Sequence, residues 1–114
     1  MKHQLARILL TCLATAAVGA DMRRADETTF DKYKGKIYAA YARELKSNPS
    51  LKARLVFEIK IATDGHVASC RVVSSDAPTP KFGDTLCERV REFLFSPREA
   101  PTTLTKSLDF FPAG

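Results

Sequence analysis

The stretch from Leu51 to Ser75, LKARLVFEIKIATDGHVASCRVVSS, leaves a chain of this kind little choice of fold. Leu55, Phe57, Ile59 and Ile61 recur at every second position, with charged Arg54, Glu58 and Lys60 between them. A period of two belongs to a strand with one buried and one wet face. The run stops at Thr63-Asp64-Gly65-His66. Asp-Gly suits a tight turn, because glycine has no Cβ to oppose a positive φ and aspartate bonds its own backbone. A second β-rich run follows, His66 to Ser75, with Ala68, Cys70 and Val72 expected on one face. The stretch predicts a long antiparallel hairpin whose inner face must be covered by something else in the chain.

The flanks supply that cover. Upstream, Phe30, Tyr33, Ile37, Tyr41 and Leu45 follow steps of three and four, while Lys32, Lys36, Arg43 and Lys46 lie off the stripe. That is one face of an amphipathic helix. Ring area on such a stripe serves a small core better than it serves a cofactor. Thr28 or Thr29 suits the N-cap, and Asp31 favours the first turn. Pro49 pushes Asn48 out of the α region and ends the helix. Residues 21–27 are polar and charged and are expected to be a flexible N-terminal segment. Downstream, the loop Ser75 to Pro80 leads to Phe82, Leu86, Val90 and Phe93, again at helical spacing, with Cys87 beside the stripe. A second helix is predicted over roughly Phe82 to Leu94, its first turn weakened by Gly83. Ser96-Pro97 stops it. Thr102 to Phe111, rich in β-branched and aromatic residues, reads as a third strand that Pro112 terminates. Within it Leu104, Leu108 and Phe110 share a face with Lys106, an imperfect alternation. The order helix, strand, strand, helix, strand predicts an α+β two-layer sandwich over residues 28–112. It has a three-stranded antiparallel sheet with two helices on one face.

The first twenty residues are of a different kind. Lys2, His3 and Arg7 precede an apolar run, Ile8 to Val18, and the small residues Val18-Gly19-Ala20 precede charged Asp21. This predicts a secretory signal peptide over 1–20. The run is about half the ~20 residues of a membrane span. The mature chain is therefore expected in the periplasm with no integral span, and an uncleaved inner-membrane anchor is the alternative. Cys12 lies inside the run, behind Leu10-Thr11, a poor lipobox. Removing residues 1–20 takes away Lys2 and Arg7 and leaves 16 basic and 13 acidic residues, a net charge of +3. So small and scattered an excess does not point to nucleic acid, though it suits an anionic surface such as lipid headgroups or the cell-wall polymer peptidoglycan. Cys70 and Cys87 then remain. An even pair in an exported protein is a disulfide candidate, with two buried free thiols as the other reading.

No catalytic, metal or cofactor constellation is legible. A metal site needs three or four ligands, and His66 is the mature chain's one histidine. A triad would have to combine His66 with Ser69, Ser74 or Ser75 and with Asp64 or Asp76. Turns and strand ends attract all of these types, and nothing marks a nucleophile elbow. Cys70 and Cys87 do not form C-x-x-C, and no glycine-rich phosphate loop is present. The expectation is a protein that is not an enzyme and holds no cofactor. A binding module remains. A sheet edge carries unpaired N–H and C=O groups that accept an extended peptide. The candidate is the last strand, at Leu104, Thr105, Lys106, Ser107, Leu108, Asp109 and Phe110. The opposing reading is that Lys106, Pro101 and Pro112 blunt that edge.

Several motifs together resemble the C-terminal domain of the AgmX/PglI family, a branch of the TonB C-terminal-like superfamily. They are Asn48-Pro49-Ser50-Leu51 closing a tyrosine-bearing helix, the Asp64-Gly65 turn, Val67, Cys70 and Val72-Val73-Ser74-Ser75. They continue as Phe93-Leu94-Phe95-Ser96-Pro97 and Leu108-Asp109-Phe110-Phe111-Pro112. The resemblance runs from about Phe30 to Pro112. It implies a periplasmic, non-enzymatic domain that binds an envelope protein by adding the partner's strand to its own last strand, Leu104 to Phe111. AgmX/PglI-like proteins are associated with gliding motility and envelope complexes. TonB-like transducers also carry an inner-membrane anchor and a proline-rich spacer. This sequence shows no such spacer, so a free-standing periplasmic adaptor is expected rather than an energy transducer.

Overall fold

The computed structural model describes residues 21–112. The expected signal peptide, 1–20, lies outside them. The hairpin forms as its alternation requires, from β1 (Ala53–Ile61) and β2 (Val67–Ser75). At the turn Gly65 takes φ +92°. The Asp64 carboxylate accepts the His66 N–H at 3.0 Å, so the aspartate closes the turn on the backbone two residues ahead. A third strand, β3 (Thr102–Phe110), pairs antiparallel with the other side of β1, which gives the order β2-β1-β3. Leu55, Phe57, Ile59 and Ile61 on the central strand are all 1% exposed or less.

Two helices on the inner face keep part of the predicted stripes; Phe30 and Tyr33 lie before the first of them and Phe93 beyond the second, all packed on the same core. In α2 (Lys34–Ser47) Ile37, Ala40 and Tyr41 are buried; in α3 (Lys81–Val90) Phe82, Leu86, Cys87 and Val90 are. The Tyr41 ring lies 5.9 Å from Phe82 and 5.0 Å from Phe110. Its hydroxyl donates to the Leu51 carbonyl at 2.6 Å, which ties α2 to the entry of β1. Burial pushes the Tyr41 phenol up from its ordinary pKa. The expected α+β sandwich, with its three-stranded antiparallel sheet, is the observed one.

Four local expectations change. Residues 21–27 are not a frayed tail: residues 21–32 are helical (α1), and Asp26 is buried. Neither threonine caps a helix there; the helical run breaks instead at Tyr33, where φ is −96° and ψ is 4°. Charged residues read as a tail because their partners, Arg98 and Lys106, lie more than seventy positions away. Ala68 is exposed, and Val67 packs against the core in its place. The register jumps there and again at Val73, so two residues of β2 oppose one of β1. Each such bulge exchanges the faces of the residues beyond it. The second helix stops at Val90, because Phe93 and Phe95 are both buried while Leu94 is half exposed. Burial at every second residue needs extended chain, not helix. Finally, Gly83 is a close-packing position. A Cβ there would meet Val72 Cγ2 at 2.9 Å and Leu55 Cδ2 at 3.2 Å, so its absence lets α3 settle onto β2 and β1.

Cys70 on β2 and Cys87 on α3 are joined in a disulfide, with their Cα atoms 5.4 Å apart. Closing a loop of this sequence separation, 17 residues, stabilises by about 3 kcal/mol in the chain-entropy model. Reduction is therefore expected to lower the stability measured by urea unfolding by about that amount, with the helical content retained.

Candidate functional site

The margins of the sheet are set by which way each backbone group points. In an antiparallel strand the N–H and C=O of one residue point to the same side, and the next residue's pair points to the other. The Arg54 N–H donates to the Asp76 carboxylate at 2.6 Å, and the Arg54 carbonyl accepts the Asp76 N–H at 3.2 Å. Arg54 therefore faces β2. Leu55, Phe57 and Ile59 face β3, where they oppose Leu108, Lys106 and Leu104. On β3 the backbone groups of Thr103, Thr105, Ser107 and Asp109 consequently point away from the sheet. No backbone hydrogen bond among the described residues takes them up.

The predicted edge residues divide accordingly. Leu104, Lys106, Leu108 and Phe110 bond to β1 and turn their side chains to the helical layer; Thr105, Ser107 and Asp109 are exposed. Lys106 does not stand guard over the edge. Its ammonium lies 5.0 Å from the centroid of the Phe30 ring and 2.8 Å from Glu27 on α1, and its side chain is 20% exposed. The stem packs inward while the charge is carried to a partner beyond the ring. Asp109 is paired with Arg54 across the outer face at 2.7 Å, and that carboxylate raises the arginine pKa.

The residues weighed for catalysis are scattered. His66 is exposed beside the turn, with Nδ1 3.1 Å from Asp64. The Asp64 carboxyl is held below the usual range, first by the His66 backbone N–H. Ser69 and Ser74 oppose Lys60 and Val56 within the sheet, Ser75 accepts the Ala77 N–H, and Asp76 is occupied by Arg54. Among the described residues no group of three or more His, Cys, Asp or Glu is placed to hold a metal. No helix among them is long and apolar enough to cross a membrane.

Sequence reasoning missed the contact that fixes the start of β3. Arg98 uses all five N–H groups, on both Asp26 oxygens (2.6 and 3.0 Å), the Thr102 hydroxyl (2.7 Å) and the Ser96 carbonyl (2.9 and 3.1 Å). Its backbone N–H donates to Thr63 at 2.8 Å. One residue thus joins α1 and the first residue of β3 through its side chain, and the hairpin turn through its backbone. No local signal marks it, since an arginine in a proline-bounded loop reads as a wet one.

Two solved structures superpose on this fold. The C-terminal domain of TonB from Pseudomonas aeruginosa superposes with a TM-score of 0.50 at 20% identity, over 60% of this chain and 72% of that one. The fold is TonB C-terminal-like. The corresponding Helicobacter pylori domain gives a TM-score of 0.50 at 16% identity, over 73% and 83%. No family model matches the chain, and no curated protein does. The TonB-like fold accounts for the three-stranded sheet and for helices packed on a single face; it leaves the partner to be argued from the edges.

Proposed function

We propose that this chain is a periplasmic, non-enzymatic interaction module of the cell envelope, related to the AgmX/PglI branch of TonB-like domains. It binds an envelope protein by strand addition to β3. The observation that carries this reading is the outward set of N–H and C=O groups at Thr103, Thr105, Ser107 and Asp109, on a nine-residue strand at the edge of its sheet. Backbone groups of this kind bind an extended segment through a ladder of hydrogen bonds. The test is proline at Thr105 or Ser107. Their N–H groups point outward, so each change removes a docking donor and no bond to β1. Either variant is expected to keep the wild-type urea midpoint and to lose the partner that the unaltered protein captures from envelope extract. Capture that survives both changes rejects the reading.

One observation favours a second reading, binding of peptidoglycan. A cleft of about 260 Å³ between α2 and α3 is lined by Lys36, Arg43 and Arg89 with one acid, Glu92, which lies 3.9 Å from the Lys36 ammonium and leaves the two arginines in excess. Co-sedimentation with purified peptidoglycan, abolished by moderate salt, would support it, because salt screens exposed charges. A membrane-anchored transducer component is the remaining alternative, and mass spectrometry of the exported protein decides it: a chain beginning at Asp21 excludes the anchor.

A further inference from the structure

The opposite edge of the sheet is built differently. Helix α3 packs on the inner face over β2 and β1, and a groove of about 680 Å³ lies between its exposed side and β2. That volume is within the range of sites that hold ligands. The bottom of the groove is the Cys70–Cys87 disulfide and half-buried Val72, and Val73 on the rim is 44% exposed. The parity that frees alternate residues on β3 also works here. Phe57 and Ile59 face β3, so their partners on β2, Val72 and Cys70, direct their own N–H and C=O groups away from β1, along the groove. No backbone bond among the described residues takes these groups up.

The helical wall carries a charge pattern. Asp84 and Glu88 line the groove one turn apart, both exposed, and neither is in an ion pair among the described residues. Two arginines also line it: Arg71 on β2, whose charge is held by Glu58 at 3.2 Å, and exposed Arg91, just past the end of α3 and about one turn beyond Glu88. Four residues of helix rise about 6 Å. Two residues of strand rise about 6.6 Å. The two acids are therefore spaced to meet every second side chain of an extended segment lying beside β2.

We propose that the groove between β2 and α3 is a docking site for an extended segment of a partner protein with Lys or Arg at alternate positions, which joins the sheet next to β2. The two acids select the cations, and the outward groups of Cys70 and Val72 supply the backbone ladder. A second copy of this chain is a poor occupant: β3 offers a single lysine, Lys106, already engaged by Glu27, and Lys32, Lys34 and Lys36, though alternate, lie in or beside helix. The site does not depend on strand addition at β3. The domain would have two docking margins, one at each edge of its sheet.

The test uses the isotopically labelled full chain and a capped peptide of about seven residues, VTKTKTV, long enough to span the exposed length of β2. Its counterpart is VTETETV. The lysine peptide is expected to shift and protect the amides of Cys70 and Val72, to leave those of Thr103, Thr105 and Ser107 unmoved, and to bind about tenfold more tightly than the glutamate peptide at low salt. Asp84→Lys with Glu88→Lys should reverse the preference. Both positions are exposed, so the amide spectrum elsewhere should stay that of the native fold. Changes at Thr105 and Ser107 instead would put the peptide on β3 and overturn the groove while leaving the β3 reading intact. Equal binding of the two peptides, no response at either edge, or concentration-dependent shifts without peptide would each overturn the proposal as well.

Discussion

Asp26→Ala is expected to lower the stability of this domain by about 3–5 kcal/mol, the largest loss from any single side-chain truncation outside the apolar core. The Arg98 side chain is 3% exposed and that of Asp26 9%. Truncating the acid leaves a desolvated guanidinium whose charge nothing balances, and that penalty dominates the result. Domains of this size have some 5–15 kcal/mol in all, so the variant stands near the threshold of folding. Urea unfolding measures the change. A companion variant keeps the interpretation testable: Asp26→Leu with Arg98→Met removes both charges and fills the space, and it should recover most of the loss. If the double variant were as unstable as the single one, the geometry of the bond network would matter rather than the stranded charge. If Asp26→Ala cost under about 1 kcal/mol, the pair would be behaving as a surface bridge.

This pair also shows where the sequence stops being legible. The hairpin, the two apolar helices and the cysteine pairing rest on signals within a few residues of each other: a period of two, a period near 3.6, an Asp-Gly corner, an even count of thiols. The structure holds all of them. What a local reading lost depends on partners distant in sequence. Asp26 and Arg98 are 72 positions apart, and Glu27 and Lys106 are 79. Read alone, the first pair looks like solvated charge and the second like a flaw in an alternating strand. Together they pin α1 over the inner face of β3 and leave the outer margin of that strand free. The bulges at Ala68 and Val73 were hidden for a related reason. Alternation along β2 is weak, because its far side is covered only in part by α3, so the sequence does not fix which residue is skipped. The β3 edge was legible because a strand added to a two-stranded hairpin takes one of its margins, as the order β2-β1-β3 shows. The groove beside β2 was not, because it depends on where α3 comes to rest.

Gly65→Ala carries the other large effect, and it acts through the backbone. Gly65 holds φ at +92°, where an L-residue is strained by about 1–2 kcal/mol. A Cβ at this position would also run into the Phe95 carbonyl oxygen and come within 2.8 Å of its carbon. These are main-chain atoms, which no rotamer change moves aside. The turn and the segment after α3 would have to separate. That breaks the bond from the Phe95 N–H to the Gly65 carbonyl, 2.9 Å, and the bridge between His66 and Leu94. Leaving such groups unpaired costs about 1–3 kcal/mol more. The total expected loss is about 4 kcal/mol, read as a fall in the urea midpoint. Amide exchange should accelerate first at Phe95 and Arg98, because the second of these bonds to Thr63 in the same turn. Asn in place of Ala relieves the φ strain but not the contact with Phe95, so Gly65→Asn should recover less than half of the loss. Recovery to near wild type would mean that φ alone makes glycine necessary and that the segment after α3 yields freely. In that case the hairpin turn would not be what positions Arg98, and the start of β3 would owe its place to α1.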